Sequence, residues 1–560
     1  MADHAQLRAF EAQLDNELKS CRTARSTSLI TVPVALGTME VAAHENPAMF
    51  SRIEAGFDVL VKRWASGTDS NEVTVDQLLR DLILGSHYFH LREFLYFGYN
   101  APSSVSWEFS GNEVFVSYAD ESLPRQFFLQ ANNFFVDSFE VFRDYDGRTD
   151  EITSLLVGGE EFSLSTETQR AFELISEETD LKLTTYFGFL DDDTPLSNYT
   201  FDEFKRVYRD LMTKALYHRY WARANDTIKG AIEMPIVALI DGLQSDGHRP
   251  DILRSVIRDL AYGLESIRTE PMHYPLIYTR ESDSVHMSPA RFALHEGYIS
   301  ALRICATREP EHYLRVISPV VSANFVDHVA SLFESVGFRC AKNVSVRRFD
   351  ESAPDIDVLA ISEELTLGYV VFFCEVKAPI PASWSKEHLR ALEADNIAKS
   401  FAQVARLQAL WDKPEGVEFI RNQLPATGLP HFGGEFVVAC HHLVVTSWNA
   451  GMFFADEHTL AIDHRTLGRA LRRSDGDVVS LVDFLKACRV HSKEHYELVT
   501  ETCQIGELSV SYEGVSLKSF LDFGQAEFRS IGLDKKIARE FILAGGHPHD
   551  VFRERKVDDE

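Results

Sequence analysis

Two short stretches of this 560-residue chain carry side chains whose types and spacing suit hydrolytic chemistry. The first reads PDIDVLAI and holds Asp355 and Asp357; the second reads YVVFFCEVK and holds Glu375 and Lys377. Their β-branched and aromatic content, with proline before the first and after the second, is that of buried strands. Side chains alternate along a strand, so Tyr369, Val371, Phe373, Glu375 and Lys377 share one face, and Asp355 shares a face with Asp357. Residues 362–368 are few enough to join the two strands as a hairpin. That pairing would gather two or three carboxylates and one lysine at an edge of the sheet. Mg²⁺ takes oxygen ligands, keeps several waters and is commonly held by one or two carboxylates plus substrate phosphate. A lysine beside such a cation can orient the attacking water or stabilise negative charge developing on a reacting group. Together these groups suit metal-assisted phosphodiester hydrolysis.

The flanking sequence supplies the elements that must hold them. Phe325, Val329, Leu332, Phe333 and Val336 recur at helical spacing, which predicts a helix over 324–336 with Gly337 as its C-terminal cap. Strands are predicted at 338–349, 355–361 and 369–377. A long helix over 385–411 follows, with Ile397, Phe401, Val404 and Trp411 near one stripe and Asn396, Lys399, Gln403 and Arg406 near a second. A further buried strand is predicted at 435–447. It carries His441 and His442, which must face opposite sides and are read as core or edge histidines. A helical pattern over 464–487 closes this part of the chain.

Asp…Glu-x-Lys on adjacent strands, in the order helix, strand, strand, motif strand, helix, resembles the PD-(D/E)XK nuclease superfamily, which includes restriction endonucleases and Holliday-junction resolvases. The resemblance covers residues 324–451, about a quarter of the chain. It implies a restriction endonuclease-like α/β core, a mixed sheet flanked by helices, with Mg²⁺ or Mn²⁺ as cofactor. It implies catalytic roles for Asp357, Glu375 and Lys377, and for Gln403 as the functional glutamine on the helix after Glu-x-Lys. Asp357, followed by Val-Leu-Ala, is the first choice of metal-binding aspartate beside Glu375, and Asp355 is the second. Some members place an acid directly after a phenylalanine of the first helix; here Val326 follows Phe325, so no such acid is carried over. Lys399, Arg406, Arg347 and Arg348 are the expected nucleic-acid contacts. The activity implied is metal-dependent cleavage of nucleic acid, DNA first, by an endonuclease of prokaryotic restriction, defence or repair. The alternative is a non-catalytic nucleic-acid-binding or scaffold protein using the same fold.

A net charge of −29 argues against simple coating of nucleic acid. A nuclease with this balance needs local positive patches, a homo-oligomer or regulatory protein partner, or a mask. Candidate patches are Arg347 with Arg348, Arg469 with Arg472 and Arg473, and Lys535 and Lys536 with Arg539. The seven cysteines are scattered without CxxC spacing, the usage of a reduced, cytoplasmic protein lacking structural zinc. No run approaches eighteen apolar residues, so no membrane partner is expected. The first twenty residues are polar and helical in pattern, without the apolar centre of a signal peptide.

The length implies a multidomain α/β chain. Residues 1–155 read as mixed α+β, 156–312 as a helical region with a regulatory or assembly role, 313–500 as the nuclease-like domain, and 501–560 as a hairpin and helices. The first 312 residues are expected to gate or recruit the nuclease. Three clusters invite other chemistry. His87, His90 and Glu93 fall on one helical stretch amid aromatics and are read as packing. The basic-aromatic run at 217–221 is better explained by helix packing than by base stacking. The sequence HSKEH at 491–495 matches the inverted zinc-peptidase motif but lies in a polar stretch, which leaves it a decoy. There is no Walker A loop and no GxGxxG.

Overall fold

Residues 105–118 alternate about a Ser-Gly-Asn turn, and in the computed structural model they form the expected hairpin of β1 (Val105–Ser110) and β2 (Glu113–Tyr118). The structure describes residues 3–520 apart from short internal stretches, the longest being 381–395. Within these bounds it is a multidomain α/β chain with three mixed sheets. The hairpin is completed by a second one from the far end of the chain, β13 (Tyr496–Ile505) and β14 (Leu508–Leu517), in the order β1-β2-β14-β13. β14 lies parallel to β2, pairing Val510 with Val114.

The middle region differs from its sequence reading. A small sheet of β3 (Ile232–Pro235), β4 (Ala261–Tyr262), β5 (Leu276–Thr279) and β6 (Ser284–Met287) sits among the helices, in the order β3-β6-β5-β4. Within the region read as helical, Ile232–Pro235 is β3 and Ile236–Ser245 a helix. Strands of two to four residues are too short to leave a period in the sequence, and the neighbouring helices mask them.

The core sheet has six strands: β7 (Arg339–Val344), β8 (Ile356–Glu364), β9 (Gly368–Lys377), β10 (Val437–Thr446), β11 (Phe453–Phe454) and β12 (Thr459–Asp463). Their order is β11-β12-β10-β9-β8-β7. β7, β8 and β9 are antiparallel neighbours, as the short connections demand. β10 returns parallel to β9, and β12 parallel to β10. The face bearing Tyr369, Val371 and Phe373 is covered by the helices Asn396–Trp411 and Pro414–Ala426, through Leu407, Leu410 and Phe419. The opposite face, bearing Val370, Phe372, Cys374 and Val376, is covered by the helix Ser318–Glu334 through Phe325, Val329 and Phe333. Gly337, at φ +93°, turns the chain out of this helix into β7.

Two readings of this part need correction. Residues 464–487 are two helices, His464–Ser474 and Val478–Val490, because Asp475 and Gly476 both take positive φ between them. A Cβ on Gly476 would lie 2.2 Å from the Val336 carbonyl oxygen, which fixes glycine there. One stretch, Pro310–Glu334, is long and apolar enough to cross a membrane, contrary to the count of consecutive apolar residues. In the structure its Phe325, Val329 and Phe333 are buried against the sheet.

Contacts cross from the N-terminal region into this core. Phe128 and Leu129, on the helix Ser122–Val141, belong to the same apolar cluster as Phe325, Phe372 and Val445. Arg291, fully buried, bonds Glu54 and Asp58 on the helix Pro47–Trp64. The tail helices expected after residue 520 lie outside the described residues.

Candidate active site

The acids and the lysine meet at one end of β8 and β9. β8 pairs Val358 with Cys374 and Leu359 with Phe373. Continuing that register sets Asp357 opposite Glu375, where directly opposed Cβ atoms lie about 4.5–5.5 Å apart. Odd-numbered positions of both strands face the helix Asn396–Trp411, so Asp357, Glu375 and Lys377 project from that face. Lys377 Nζ donates to Glu375 Oε1. Asp357 Oδ2 accepts the Val376 backbone N–H at 2.7 Å.

Glu375 is buried, 4% exposed, whereas Lys377 next to it is 27% exposed at the strand end. Burial pushes the Glu375 carboxyl above its ordinary value, and the charge of Asp357 adds to the rise against the pull of Lys377. Asp357 is raised too, again by burial first, with the Val376 N–H and Lys377 opposing and Asp355 adding to the rise. A buried carboxyl and a half-buried one thus lie together with one lysine beside them.

Asp355 occupies a different setting. It accepts from Ser345 Oγ at 2.8 Å and lies 3.6 Å from Arg347, with 42% of its side chain exposed. It is near enough to act on Asp357 electrostatically, yet its oxygens serve the β7–β8 connection. Sequence reasoning paired Arg347 with nucleic acid and missed Ser345; both flank Asp355 in space. Arg347 and Arg348 are exposed.

Of the helix expected over 385–411, residues 385–395 lie outside the described residues and Asn396–Trp411 is helical. Ile397 and Val404 pack against Val444, the residue in register with Glu375 on β10. Gln403, half-buried, therefore lies level with the acids, but it makes no hydrogen bond to Asp357, Glu375 or Lys377. Lys399 and Arg406 are exposed on this helix. At its far end Trp411 stacks on Phe373 and donates to His442 Nε2 at 2.9 Å. His441 stacks on Phe372 across the sheet, so the two histidines face opposite sides as read.

The alternative clusters are occupied in packing. His87 bonds the Tyr512 hydroxyl at 2.7 Å, and burial lowers its pKa to about 4. Tyr217, His218 and Trp221 are buried in the helix Phe201–Ala224. Within HSKEH, Ser492–Glu494 is a single 3₁₀ turn rather than a helix, and His495 bonds Ser519; His491 lies outside the described residues.

Among the described residues no group of three or more His, Cys, Asp and Glu side chains gathers as a metal site. A hard cation that keeps several waters does not need three protein ligands, and one or two carboxylates suffice. Asp357 and Glu375, both disfavoured as anions by burial, are a donor set whose charge a divalent cation would offset. The residues fit such an ion. The wider comparison adds nothing to this geometry: no family model, curated protein or solved structure matches the chain.

Proposed function

We propose that the chain is a metal-dependent nuclease with a restriction endonuclease-like core and a PD-(D/E)XK site, acting on DNA as an endonuclease of prokaryotic restriction, defence or repair. One observation carries the reading: by the register of an antiparallel pair Asp357, half-buried, opposes Glu375, buried, and Lys377 is bonded to Glu375. Burying two facing carboxylates beside one lysine lowers stability, and such perturbed groups cluster where chemistry is done.

Asp357 and Glu375 would hold Mg²⁺ or Mn²⁺. When bound, such an ion lowers the pKa of water and offsets charge on a phosphoryl oxygen. The protein's own groups do the rest. The Val376 N–H fixes the Asp357 carboxylate, leaving its Oδ1 directed elsewhere. The Lys377 ammonium, partly exposed at the strand end, is positioned to meet negative charge that develops on the phosphate. Lys399, Arg406, Arg347 and Arg348, all exposed, supply backbone contacts along the edges of the site.

Purified protein incubated with plasmid, linear duplex, single-stranded DNA and RNA tests this directly. Cleavage with Mg²⁺ or Mn²⁺ that stops on addition of chelator is the expected result. Binding without cleavage would return the scaffold reading, and cleavage indifferent to chelator would move the chemistry away from Asp357 and Glu375.

A further inference from the structure

The carboxyl end of β12 and the loop that leaves β10 are tied to a helix more than 300 residues away in sequence. Asn133, on the helix Ser122–Val141, is 1% exposed and donates from Nδ2 to Asp463 Oδ2 at 3.0 Å. Asp463 ends β12, is equally buried, and uses its other oxygen to cap the helix His464–Ser474 through the N–H groups of Arg465 and Thr466. One turn earlier on the same N-terminal helix, the Gln130 carbonyl accepts from Asn449 Nδ2 at 2.8 Å, and Gln130 Nε2 faces the Asn449 carbonyl at 3.5 Å. Asn449 belongs to the loop that leaves β10. In that loop the Ser447 N–H donates to the Lys377 carbonyl at 3.0 Å, and Thr446 Oγ1 donates to the Trp448 carbonyl at 2.9 Å. Phe128 and Leu129 anchor the helix in the apolar core of the sheet beside these polar contacts.

Burial of apolar groups would hold the helix there with less demand on geometry. A buried carboxamide bonded to a buried carboxylate instead favours one docking position, since a slip breaks the bond between Asn133 Nδ2 and Asp463 Oδ2. The consequence falls on the loop at residues 447–449 and, through the Ser447–Lys377 bond, on the last residue of the motif strand. We infer that Asn133, Gln130 and Asn449 are positioning residues: the N-terminal helix sets the loop that holds the main chain of Lys377, so the site is completed by the N-terminal region rather than merely gated by it. Its catalytic consequence rests on the nuclease reading, but its structural part does not.

Full-length variants separate the two. Asn449→Ala removes the loop's bond to the Gln130 carbonyl at a half-buried position. Asn133→Asp sets two buried carboxylates against each other. Adding Asp463→Asn to it restores the bond with donor and acceptor exchanged, and asparagine caps a helix as well as aspartate does. In Asn449→Ala and Asn133→Asp the backbone amides of residues 444–449 should exchange with solvent about tenfold faster than in the wild type. On whichever nucleic acid the wild type cleaves, kcat should fall about tenfold to a hundredfold with KM nearly unchanged. The Asn133→Asp, Asp463→Asn double variant should recover both. Unchanged exchange in Asn449→Ala, or a double variant no better than Asn133→Asp alone, overturns the inference. Should Asn133→Asp not fold, recovery of fold and exchange in the double variant supports it, and failure of both sinks it. A wild type that cleaves nothing yet shows the predicted exchange pattern sinks the nuclease reading and upholds the positioning contact.

Discussion

Arg291 and Glu375 are both held out of water, but the arginine is answered by more of its neighbours. Its guanidinium reaches Asp58 at 2.9 Å, Glu54 at 3.4 Å, the Pro271 carbonyl at 2.9 Å and the Tyr274 carbonyl at 3.3 Å. It also lies over the Phe57 ring, 5.1 Å from its centroid. Lys182 and Glu178, both nearly fully buried, follow the same rule at 2.9 Å, with the Tyr220 hydroxyl donating to Glu178. At the end of β9 two raised carboxyls share a single lysine. The clusters at Arg291 and at the end of β9 each set two carboxylates against one cation, but the Arg291 guanidinium bonds both of its acids and two carbonyls, whereas the Lys377 ammonium bonds Glu375. That difference in bonding separates the strut from the candidate site.

The contrast breaks first at Arg291. Arg291→Met should cost about 3–5 kcal/mol of stability, because it takes the buried guanidinium away from Glu54 and Asp58, whose side chains are only 14% and 13% exposed. Urea melts would read the loss, and cleavage per folded molecule should stay near the wild-type value. A small loss would mean that water or other groups already answer these acids.

At the site the signs reverse. Lys377→Ala should lower cleavage on the order of 10²–10³-fold while leaving the fold intact, since the side chain sits at a strand end and is partly exposed. Glu375→Ala and Asp357→Ala should abolish metal-dependent cleavage. Initial rates with saturating Mg²⁺, compared with circular dichroism of each variant, would check all three. Cleavage surviving these substitutions would place the chemistry elsewhere in the chain.

How much of this was readable beforehand varies along the chain. The adjacency of β7, β8 and β9 and the existence of β10 were legible, β8 to β10 through their long apolar runs, and β8 and β9 came out within a residue or so at most ends, whereas β11 and β12 were not read. The predicted strand at 338–349 shrank to Arg339–Val344, since Asn343 takes positive φ and Ser345 turns away to meet Asp355. Within the site, the shared face of Asp357, Glu375 and Lys377 followed from alternation alone. Alternation also put Asp355 on that face, but its bonds to Ser345 and Arg347 depend on how the connection folds. Nothing local marks Asn133 or Asp463, whose contact spans 330 positions. The same holds for Phe128 and Leu129: removing residues 1–312 would strip both from the core of the sheet, so the picture of a separable gate understates the union of the two regions.

A subtler effect sharpens the comparison through pH. A carboxyl whose folded-state value is raised favours the folded chain while protonated, and that contribution is lost as pH rises through the folded value. Glu375 is such a group. Glu375→Gln should therefore melt above the wild type at pH 7 and lose that advantage near pH 4, where the ordinary carboxylate range lies (about 4). Mg²⁺ should raise the wild-type melting temperature at pH 7 and do little for Glu375→Gln. A variant that melts lower at both pH values would mean that the Lys377–Glu375 bond outweighs the burial of the carboxylate.

The smallest effect is expected at Asp355, and it tests which aspartate belongs to the cluster. Asp355 is partly exposed and already engaged by Ser345 and Arg347, so it is answered by its neighbours in the manner of the Arg291 cluster. Asp355→Asn should lower cleavage by less than about tenfold, well short of the loss expected from a general transition-state contact. Its charge is one of the causes that raise Asp357, so removing it lets Asp357 ionise more easily. The acid limb of the pH–rate profile should accordingly move to lower pH, while the alkaline limb stays in place. Freeing Arg347 should also strengthen phosphate contact at low salt and steepen the decline of binding as salt rises. If Asp355→Asn instead proves as damaging as Asp357→Asn, with no shift in the acid limb, then Asp355 is a ligand of the cation and its contacts to Ser345 and Arg347 are those of the resting protein only.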